Sequence, residues 1–192
     1  MKPGKAAGNA HGATSYDRIY AKTEKYRRPY RRSHYFPMWQ ILLQWLRHTV
    51  KRPKVLEPGC GPGQLAAFLH ASGFKRYYGF DFSPVAIQMA RKMAPGQRFA
   101  VADIRSQESF DVYDYNTVIM TEVLEHIDDD LAIFAKLKPG ARVLLSVPDN
   151  DTRTHVRYFP VIADVVERYQ PFLGKMAIRT HGHWHVATGV TK

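Results

Sequence analysis

Apolar residues along the chain fall into five short runs that glycine, proline and polar residues separate. The first run begins at Val55, and the others cover residues 76–82, 97–104, 115–121 and 141–147. The runs are apolar at consecutive positions rather than at every second one. This pattern predicts strands that are buried on both faces of a sheet.

Helical patterns precede and separate the predicted strands. Pro37 opens the first helix, and its apolar side follows at i, i+3, i+4, i+7 and i+8. These positions are Met38, Ile41, Leu42, Trp45 and Leu46. We expect this helix to pack beside the first strand. A second helix ends at Gly73, and a third begins with Ser83 as its N-cap and Pro84 at its first position.

The alternation of strand and helix continues to the end of the chain. A helix around Leu131 stops at 138–140, where the sequence reads Lys-Pro-Gly. Residues 156–169 are predicted to be largely helical despite Pro160, and residues 174–190 to form an antiparallel hairpin. Strands that alternate with helices in this way predict an α/β fold.

A glycine-rich turn joins the first strand to the next helix, in the sequence Glu-Pro-Gly-Cys-Gly-Pro-Gly at 57–63. Glycine permits positive φ and lets the backbone approach a ligand closely. N–H groups that stay exposed at such a turn favour a carboxylate or phosphate oxygen. A dinucleotide fingerprint G-x-G-x-x-G would need glycine at position 64, which is Gln64. Asp81 ends the second run about 20 residues later, where a ribose-binding carboxylate is expected.

The E-x-G-x-G-x-G pattern from Glu57 to Gly63 resembles motif I of the class I S-adenosylmethionine-dependent methyltransferases. The resemblance covers roughly residues 37–190. It implies an α/β, Rossmann-like fold: a seven-stranded methyltransferase sheet with helices on both faces and an antiparallel C-terminal hairpin. It also implies S-adenosylmethionine as the cofactor.

The resemblance further implies roles for residues at four strand ends. Glu57 would organise the turn and the amino-acid end of the cofactor. Asp103 would take the adenine amino group, and the backbone N–H of Ile104 would face the ring. Phe82 would stack on adenine or pack in the core, and Thr121 ends the fourth strand at the same edge. The glycines expected beneath the methionine and ribose are Gly59, Gly61 and Gly63.

The acceptor side of the predicted cleft contains candidate bases. Methyl transfer to oxygen or nitrogen requires alignment of the acceptor and removal of a proton. His126 after the fourth strand is the first candidate base and His155 the second.

Glu122, Glu125 and His126 also have ligand types and spacing suited to a divalent metal. Similar Glu-x-x-Glu-His strings hold metal in ubiquinone-pathway O-methyltransferases and in the 2′-O-methyltransferases of small-RNA ends. The string E-V-L-E-H also occurs in methyltransferases of this fold that bind none. Metal binding, a substrate-side polar cluster and helix capping therefore stay open, and we assign no metal ligand.

Three histidines near the C-terminus, His181, His183 and His185, alternate in sequence. On one strand they would face the same side. Three imidazoles on one side can chelate a metal, but no acidic or thiol ligand accompanies them. We expect a half-exposed strand here.

Composition suits one domain, since the chain has 192 residues and 45% hydrophobic content. Cys60 is the only cysteine, which excludes an intrachain disulfide and suggests a small apolar filler. The sequence has neither a long apolar span nor a signal-peptide pattern, so we expect no membrane partner and a cytoplasmic location. Oligomeric state is not predicted.

The net charge of +11 is concentrated near the N-terminus, where residues 1–52 hold twelve Lys or Arg against Asp17 and Glu24. We expect a disordered tail over 1–14, a basic aromatic arm or lid over 15–36, and a class I methyltransferase domain over 37–192. The arm interleaves arginine with tyrosine, which suits either a nucleic-acid surface or a lid whose tyrosines pack on the core.

Three functions follow from these features. The leading hypothesis is an S-adenosylmethionine-dependent methyltransferase that acts on an oxygen or nitrogen atom of a small-molecule acceptor. The alternatives are an RNA or protein methyltransferase that uses the basic arm, and a non-catalytic module that retains the cofactor.

Overall fold

The computed structural model describes residues 13–192, which form a single sheet with helices on both of its faces. The helices are α1 Ala13–Lys22, α2 Phe36–Thr49, α3 Gln64–Ala71, α4 Pro84–Met93, α5 Glu108–Asp111, α6 Leu131–Phe134 and α7 Ile162–Leu173. The strands are β1 Val55–Pro58, β2 Tyr77–Asp81, β3 Arg98–Val101, β4 Thr117–Thr121, β5 Arg142–Pro148, β6 Ala177–His181 and β7 Trp184–Val190. Short 3₁₀ turns cover Glu24–Arg27, Tyr30–Arg32 and Leu124–His126.

The seven strands follow the order β3-β2-β1-β4-β5-β7-β6. Strands β1 to β5 pair in parallel, whereas β7 runs antiparallel between β5 and β6. This topology confirms the predicted fold class, including the C-terminal hairpin. The strand order reverses between β1 and β4, and a crevice therefore opens beyond the carboxyl ends of these strands.

The core has two layers, one on each side of the sheet. Helices α2, α3 and α4 pack on one face, where Leu42 and Leu46 belong to the same buried cluster as Val55. This arrangement places α2 beside the first strand, as expected. Helices α5, α6 and α7 cover the other face with buried rings, which include Phe134 and Tyr169.

The helix predicted over residues 156–169 begins only at Ile162. Val161 is extended, with φ −137°, and Pro160 disfavours the helical conformation in the residue before it. The preceding segment makes long-range hydrogen bonds instead. The N–H of Val156 donates to the Glu125 carbonyl at 2.8 Å, and the N–H of Phe159 donates to the Pro148 carbonyl at 2.9 Å.

Helix α1 has no counterpart among the helices predicted from the sequence. Its partly or fully buried apolar positions are Tyr16, Ile19 and Tyr20, a stripe too short to reveal a period. The arm proposed for residues 15–36 therefore contains most of a helix and two 3₁₀ turns. Residues 1–12, which make up most of the proposed tail, lie outside the described part of the chain.

The C-terminal histidines do not share one strand. His181 ends β6, and Gly182, with φ +56°, begins the turn that places His185 on β7. The prediction of three histidines on one side is therefore wrong. His183 is exposed and contacts Asp149 at 3.1 Å.

His185 is buried within the hairpin. Its two ring nitrogens lie 2.8 Å from the Thr180 hydroxyl and 2.9 Å from the Phe159 carbonyl. Both ring nitrogens of His185 therefore form hydrogen bonds that attach β7 to its neighbours.

Within residues 13–192, every helix is too short or too polar to span a lipid bilayer.

Candidate active site

A cavity of about 840 Å³ opens where the strand order reverses. Its walls come from the ends of β1, β2 and β4, from the loop after β3, and from α1. The predicted site residues on its walls are Gly59, Asp81, Phe82, Asp103, Ile104 and His126. The remaining ones lie outside its walls: Glu57, Gly61, Gly63, Thr121 and His155.

The glycine turn after β1 has the predicted left-handed backbone. Gly59, Gly61 and Gly63 have φ of +70°, +51° and +79°. A Cβ on Gly59 would lie 2.7 Å from a methyl group of Val123, and one on Gly63 would lie 2.8 Å from the Cα of Ala90. The turn thus needs glycine for its conformation and for its close packing on neighbouring elements.

The N–H groups of this turn are used within the protein. Those of Gly59 and Cys60 donate to the Phe80 carbonyl, and that of Gly63 donates to the Cys60 carbonyl. The N–H of Gly61 donates to Asp81 at 3.0 Å, and Pro62 has none. Gly61 thus faces a carboxylate of the protein itself, and the expectation that N–H groups of the turn stay exposed for a ligand oxygen is wrong at these four positions.

Asp81 anchors the turn from the end of β2. One carboxylate oxygen accepts the N–H of Gly61, and the other accepts the N–H of Ser83 at 2.9 Å. Burial raises the pKa of Asp81 to about 6, although both hydrogen bonds lower it. The carboxylate therefore links the glycine turn to the start of α4 from a position on the cavity wall.

Glu57 lies below the turn in a buried environment. Its carboxylate accepts a hydrogen bond from the Tyr77 hydroxyl at 2.5 Å. Burial raises the pKa of Glu57 to about 8, and the charge of Asp81 acts in the same direction. Glu57 is thus placed to support the turn, since it does not line the cavity.

Asp103 lies two residues beyond the end of β3 and is partly exposed. Its carboxylate pairs with the Arg105 guanidinium, with contacts of 2.7 and 3.1 Å. These hydrogen bonds lower the pKa of Asp103. Ile104 beside it supplies an apolar part of the wall.

Helix α1 covers one side of the cavity with two tyrosines that the sequence pattern did not single out. The Tyr16 ring lies edge-on to Phe82 with a centroid distance of 5.3 Å, and edge-on to His126 at 6.1 Å. Tyr20 is buried beside it and also lines the cavity. The tyrosines of the arm were visible in the sequence, but they have no periodic spacing that would have predicted a helix or its buried side.

Hydrogen bonds attach the arm to the domain. The Ser83 hydroxyl donates to the Asp17 carboxylate. The Gln64 side-chain amide donates to the Lys25 carbonyl at 3.1 Å and to the Arg28 carbonyl at 2.6 Å. Gln64, at the position where a dinucleotide fingerprint would have glycine, therefore holds the arm over the turn.

Glu122 follows β4 in a left-handed conformation, with φ +57°. Its carboxylate accepts hydrogen bonds from the Ser146 hydroxyl at 2.9 Å and from the Trp184 indole N–H at 3.0 Å. Burial raises the pKa of Glu122 to about 7. Both of its oxygens thus have partners from β5 and β7.

Glu125, His126 and His155 converge at the edge of the cavity. One potential ligand atom from each lies within 4.8 Å of the other two. Glu125 is fully buried, and neither carboxylate oxygen has a hydrogen-bond partner in the described part of the chain. Burial raises the pKa of Glu125 well above its ordinary value, and the charge of Glu122 adds to the effect.

Comparisons with known proteins agree with this geometry. A family model described as a methyltransferase domain matches residues 25–189. The chain is 30% identical over 115 residues to the ribosomal protein L11 methyltransferase of Cupriavidus metallidurans, with 57% of this chain and 36% of that protein covered. It is 32% identical over 101 residues to the trans-aconitate 2-methyltransferase of Escherichia coli O139:H28, with 50% and 39% covered. The chain spans less than half the length of these curated relatives.

Among solved structures, the N-methyltransferase NodS of Bradyrhizobium japonicum WM9, in complex with S-adenosyl-L-homocysteine, has a TM-score of 0.70 and 19% identity. The match covers 95% of this chain and 98% of NodS. At this identity, the likeness establishes the fold. Because the family model matches most of the chain and the sheet has the expected topology, the chain belongs to the methyltransferase-domain family and has the class I methyltransferase fold.

Proposed function

We propose that this chain transfers the methyl group of S-adenosylmethionine to an oxygen or nitrogen atom of a small-molecule acceptor in the cavity. The observation that carries the proposal is the glycine turn with internally paired N–H groups at the cavity edge. A pyrophosphate cofactor depends on such donors. S-adenosylmethionine has no phosphate and does not need them.

The residues on the cavity walls suit this cofactor. The cavity volume lies within the range of small-molecule sites. Each oxygen of Asp81 retains a lone pair beyond its N–H bond, which leaves acceptors for ribose hydroxyls. Phe82 and Ile104 offer apolar surface to adenine, and Asp103 offers a carboxylate to the amino group.

The residues outside the walls support this arrangement from behind. Glu57 is buried and bonded to Tyr77, Gly63 ends the turn against Ala90 of α4, Gly61 donates to Asp81, and Thr121 ends the central strand β4. Their proposed contribution is to keep the turn in one conformation.

When bound, S-adenosylmethionine supplies an electrophilic methyl group on sulfur. His126 lies on the cavity wall and His155 behind it, with ring centroids 5.1 Å apart. Burial lowers the pKa of His155, which keeps its imidazole neutral and able to accept a proton. We assign to these two residues the removal of the acceptor proton.

Calorimetric titration with S-adenosylhomocysteine tests the cofactor assignment. We expect one equivalent to bind, and we expect Asp81→Ala to weaken binding at least tenfold, since the substitution removes the ribose acceptor and frees the turn. Exposed Asp111→Ala provides the control. Absence of binding by the native chain, or tighter binding of a nicotinamide dinucleotide, would overturn the proposal.

A second candidate acceptor is RNA, because exposed arginines form a basic strip on the arm. Arg31 and Arg32 are exposed, and within residues 13–192 no carboxylate forms an ion pair with either of them. If the strip binds RNA, the double variant Arg31→Gln, Arg32→Gln should reduce the salt slope of binding by about 2. The control is Arg47→Gln with Lys51→Gln, and an unchanged slope would exclude this acceptor.

A further inference from the structure

We propose that Glu125, His126 and His155 bind a divalent first-row transition metal at the edge of the cavity. Zinc and iron(II) suit one carboxylate and two imidazoles, and cobalt is a spectroscopic substitute for them, whereas magnesium, calcium and manganese prefer oxygen ligands. The three residues come from the 3₁₀ turn after β4 and from the loop after β5.

The distances are close to those of a ligated set. The Nε2 atom of His126 lies 3.8 Å from an oxygen of Glu125, and the three ligand atoms lie within 4.8 Å of one another. Two ligands of a tetrahedral ion at about 2.1 Å are roughly 3.4 Å apart. Small side-chain rotations would bring the set to this spacing.

The hydrogen bonds behind the two imidazoles fix the tautomers that a metal needs. Nδ1 of His126 lies 3.0 Å from the Thr154 carbonyl, and Nδ1 of His155 lies 3.3 Å from the Asn150 carbonyl. A carbonyl only accepts, so each Nδ1 carries the proton and each Nε2 carries the lone pair. Backbone carbonyls hold metal-binding histidines in this way in many proteins.

Glu125 provides the second, independent indication. Both of its oxygens are buried without a hydrogen-bond partner among residues 13–192, and burying such a group costs free energy. The nearby Arg157 guanidinium attracts the Glu125 carboxylate but forms no hydrogen bond with it, because it donates to the carbonyls of Leu124, Ile127 and Asp128. A bound divalent cation would supply the missing partner.

The remaining carboxylate of the Glu-x-x-Glu-His string is engaged elsewhere. The oxygens of Glu122 accept hydrogen bonds from Ser146 and Trp184. The site therefore uses His155, which is distant in sequence from the string. With three protein ligands, such an ion keeps a position open toward the cavity.

The consequence for catalysis rests on the proposed function. An acceptor oxygen in the open position would lose its proton more readily, because a metal lowers the pKa of a bound hydroxyl or water. One lone pair on Nε2 cannot hold both a metal and a proton, so His126 and His155 would then both be ligands instead of bases. The proton of the metal-bound acceptor would pass to water in the cavity.

The test uses the full chain without a polyhistidine tag, freed of metal by a chelator. Cobalt titration should give one equivalent, with visible absorption of a site of four or five ligands and a rise in the unfolding temperature. Glu125→Gln and His155→Asn should each weaken cobalt binding at least tenfold. Exposed His48→Asn is the matched control and should bind as the native chain does.

Glu125→Gln preserves the shape of the side chain, and circular dichroism checks that each variant folds. If one variant does not fold, the other decides. No cobalt binding by the native chain, or equal affinity in the folded variants, would overturn the proposal. Titration of the same samples with S-adenosylhomocysteine measures cofactor binding independently of metal binding. If the cofactor binds and cobalt does not, the metal site is rejected and the proposed function still stands.

Discussion

At the residue scale, the buried Glu57 makes stability depend on pH. Its pKa is about 8 in the folded chain and near 4.5 when unfolded. A carboxyl group with a raised pKa favours folding fully below about pH 4.5, and this contribution is lost as the pH rises through about 8. We predict that Glu57→Gln, which retains an acceptor for Tyr77, flattens the fall in unfolding free energy between about pH 5 and 8.

Urea unfolding at several pH values measures this effect. Asp81 and Glu122 contribute with the same sign, because burial also raises their pKa values. Only the difference between the native chain and Glu57→Gln therefore isolates Glu57. Exposed Glu167→Gln is the control, and parallel pH profiles for the native chain and Glu57→Gln would contradict the prediction.

A comparison of Gly63 with Gly140 distinguishes the cost of overpacking from the cost of backbone strain. Its φ is +79°, and a Cβ would lie 2.8 Å from the backbone of Ala90 in α4. Gly140 has the same φ, but a Cβ there would have open space, with no described atom beyond its chain neighbours within 4 Å. We predict that Gly63→Ala costs about 1–3 kcal/mol more than Gly140→Ala in denaturant unfolding, because only the former is overpacked. Equal costs would show that α4 moves aside freely.

The sequence identified the residues of the glycine turn and Asp81, because their chemistry lies in a local pattern. It did not predict that the turn's N–H groups are paired internally, since most of their acceptors belong to β2. The isolation of Glu125 and its proximity to His155 depend on the loop after β5. No spacing rule specifies such a contact.

At the element scale, α1 forms a cover whose attachment depends on few polar bonds. The Asp17 carboxylate accepts a hydrogen bond from the Ser83 hydroxyl. The oxygen of the same hydroxyl accepts a hydrogen bond from the N–H of Ala86, as the N-cap of α4. We predict that Asp17→Ala weakens S-adenosylhomocysteine binding about fivefold, because α1 carries Tyr16 and Tyr20 on the cavity wall. Calorimetry measures this, with Arg18→Ala on the same helix as control.

Unchanged affinity in Asp17→Ala would mean that α1 keeps its place through its apolar contacts alone.

The strands were predictable as elements because their apolar runs are continuous. Helix α1 was not, since three positions define no period, and α7 starts late because Pro160 excludes the helical path before it. These differences arise where tertiary contacts or proline override a local pattern.

At the scale of the whole molecule, family resemblance implied a seven-stranded sheet with an antiparallel C-terminal hairpin, and the structure confirms it. Charge patterning along the sequence located the basic strip but not the molecule that binds to it.

Removing residues 184–192 should abolish cooperative thermal unfolding, because β7 pairs with both β5 and β6. Calorimetry of this truncated chain checks the prediction, and a retained sharp transition would contradict it.

The interior position of β7 also has a consequence for synthesis on the ribosome. Until residues 184–190 emerge, the nascent chain has β5 as an open edge with unpaired N–H and carbonyl groups. The first five strands can pair beforehand, but the sheet closes late. The pairing of β7 with β5 therefore covers an edge at which a partly synthesised molecule could associate with another chain.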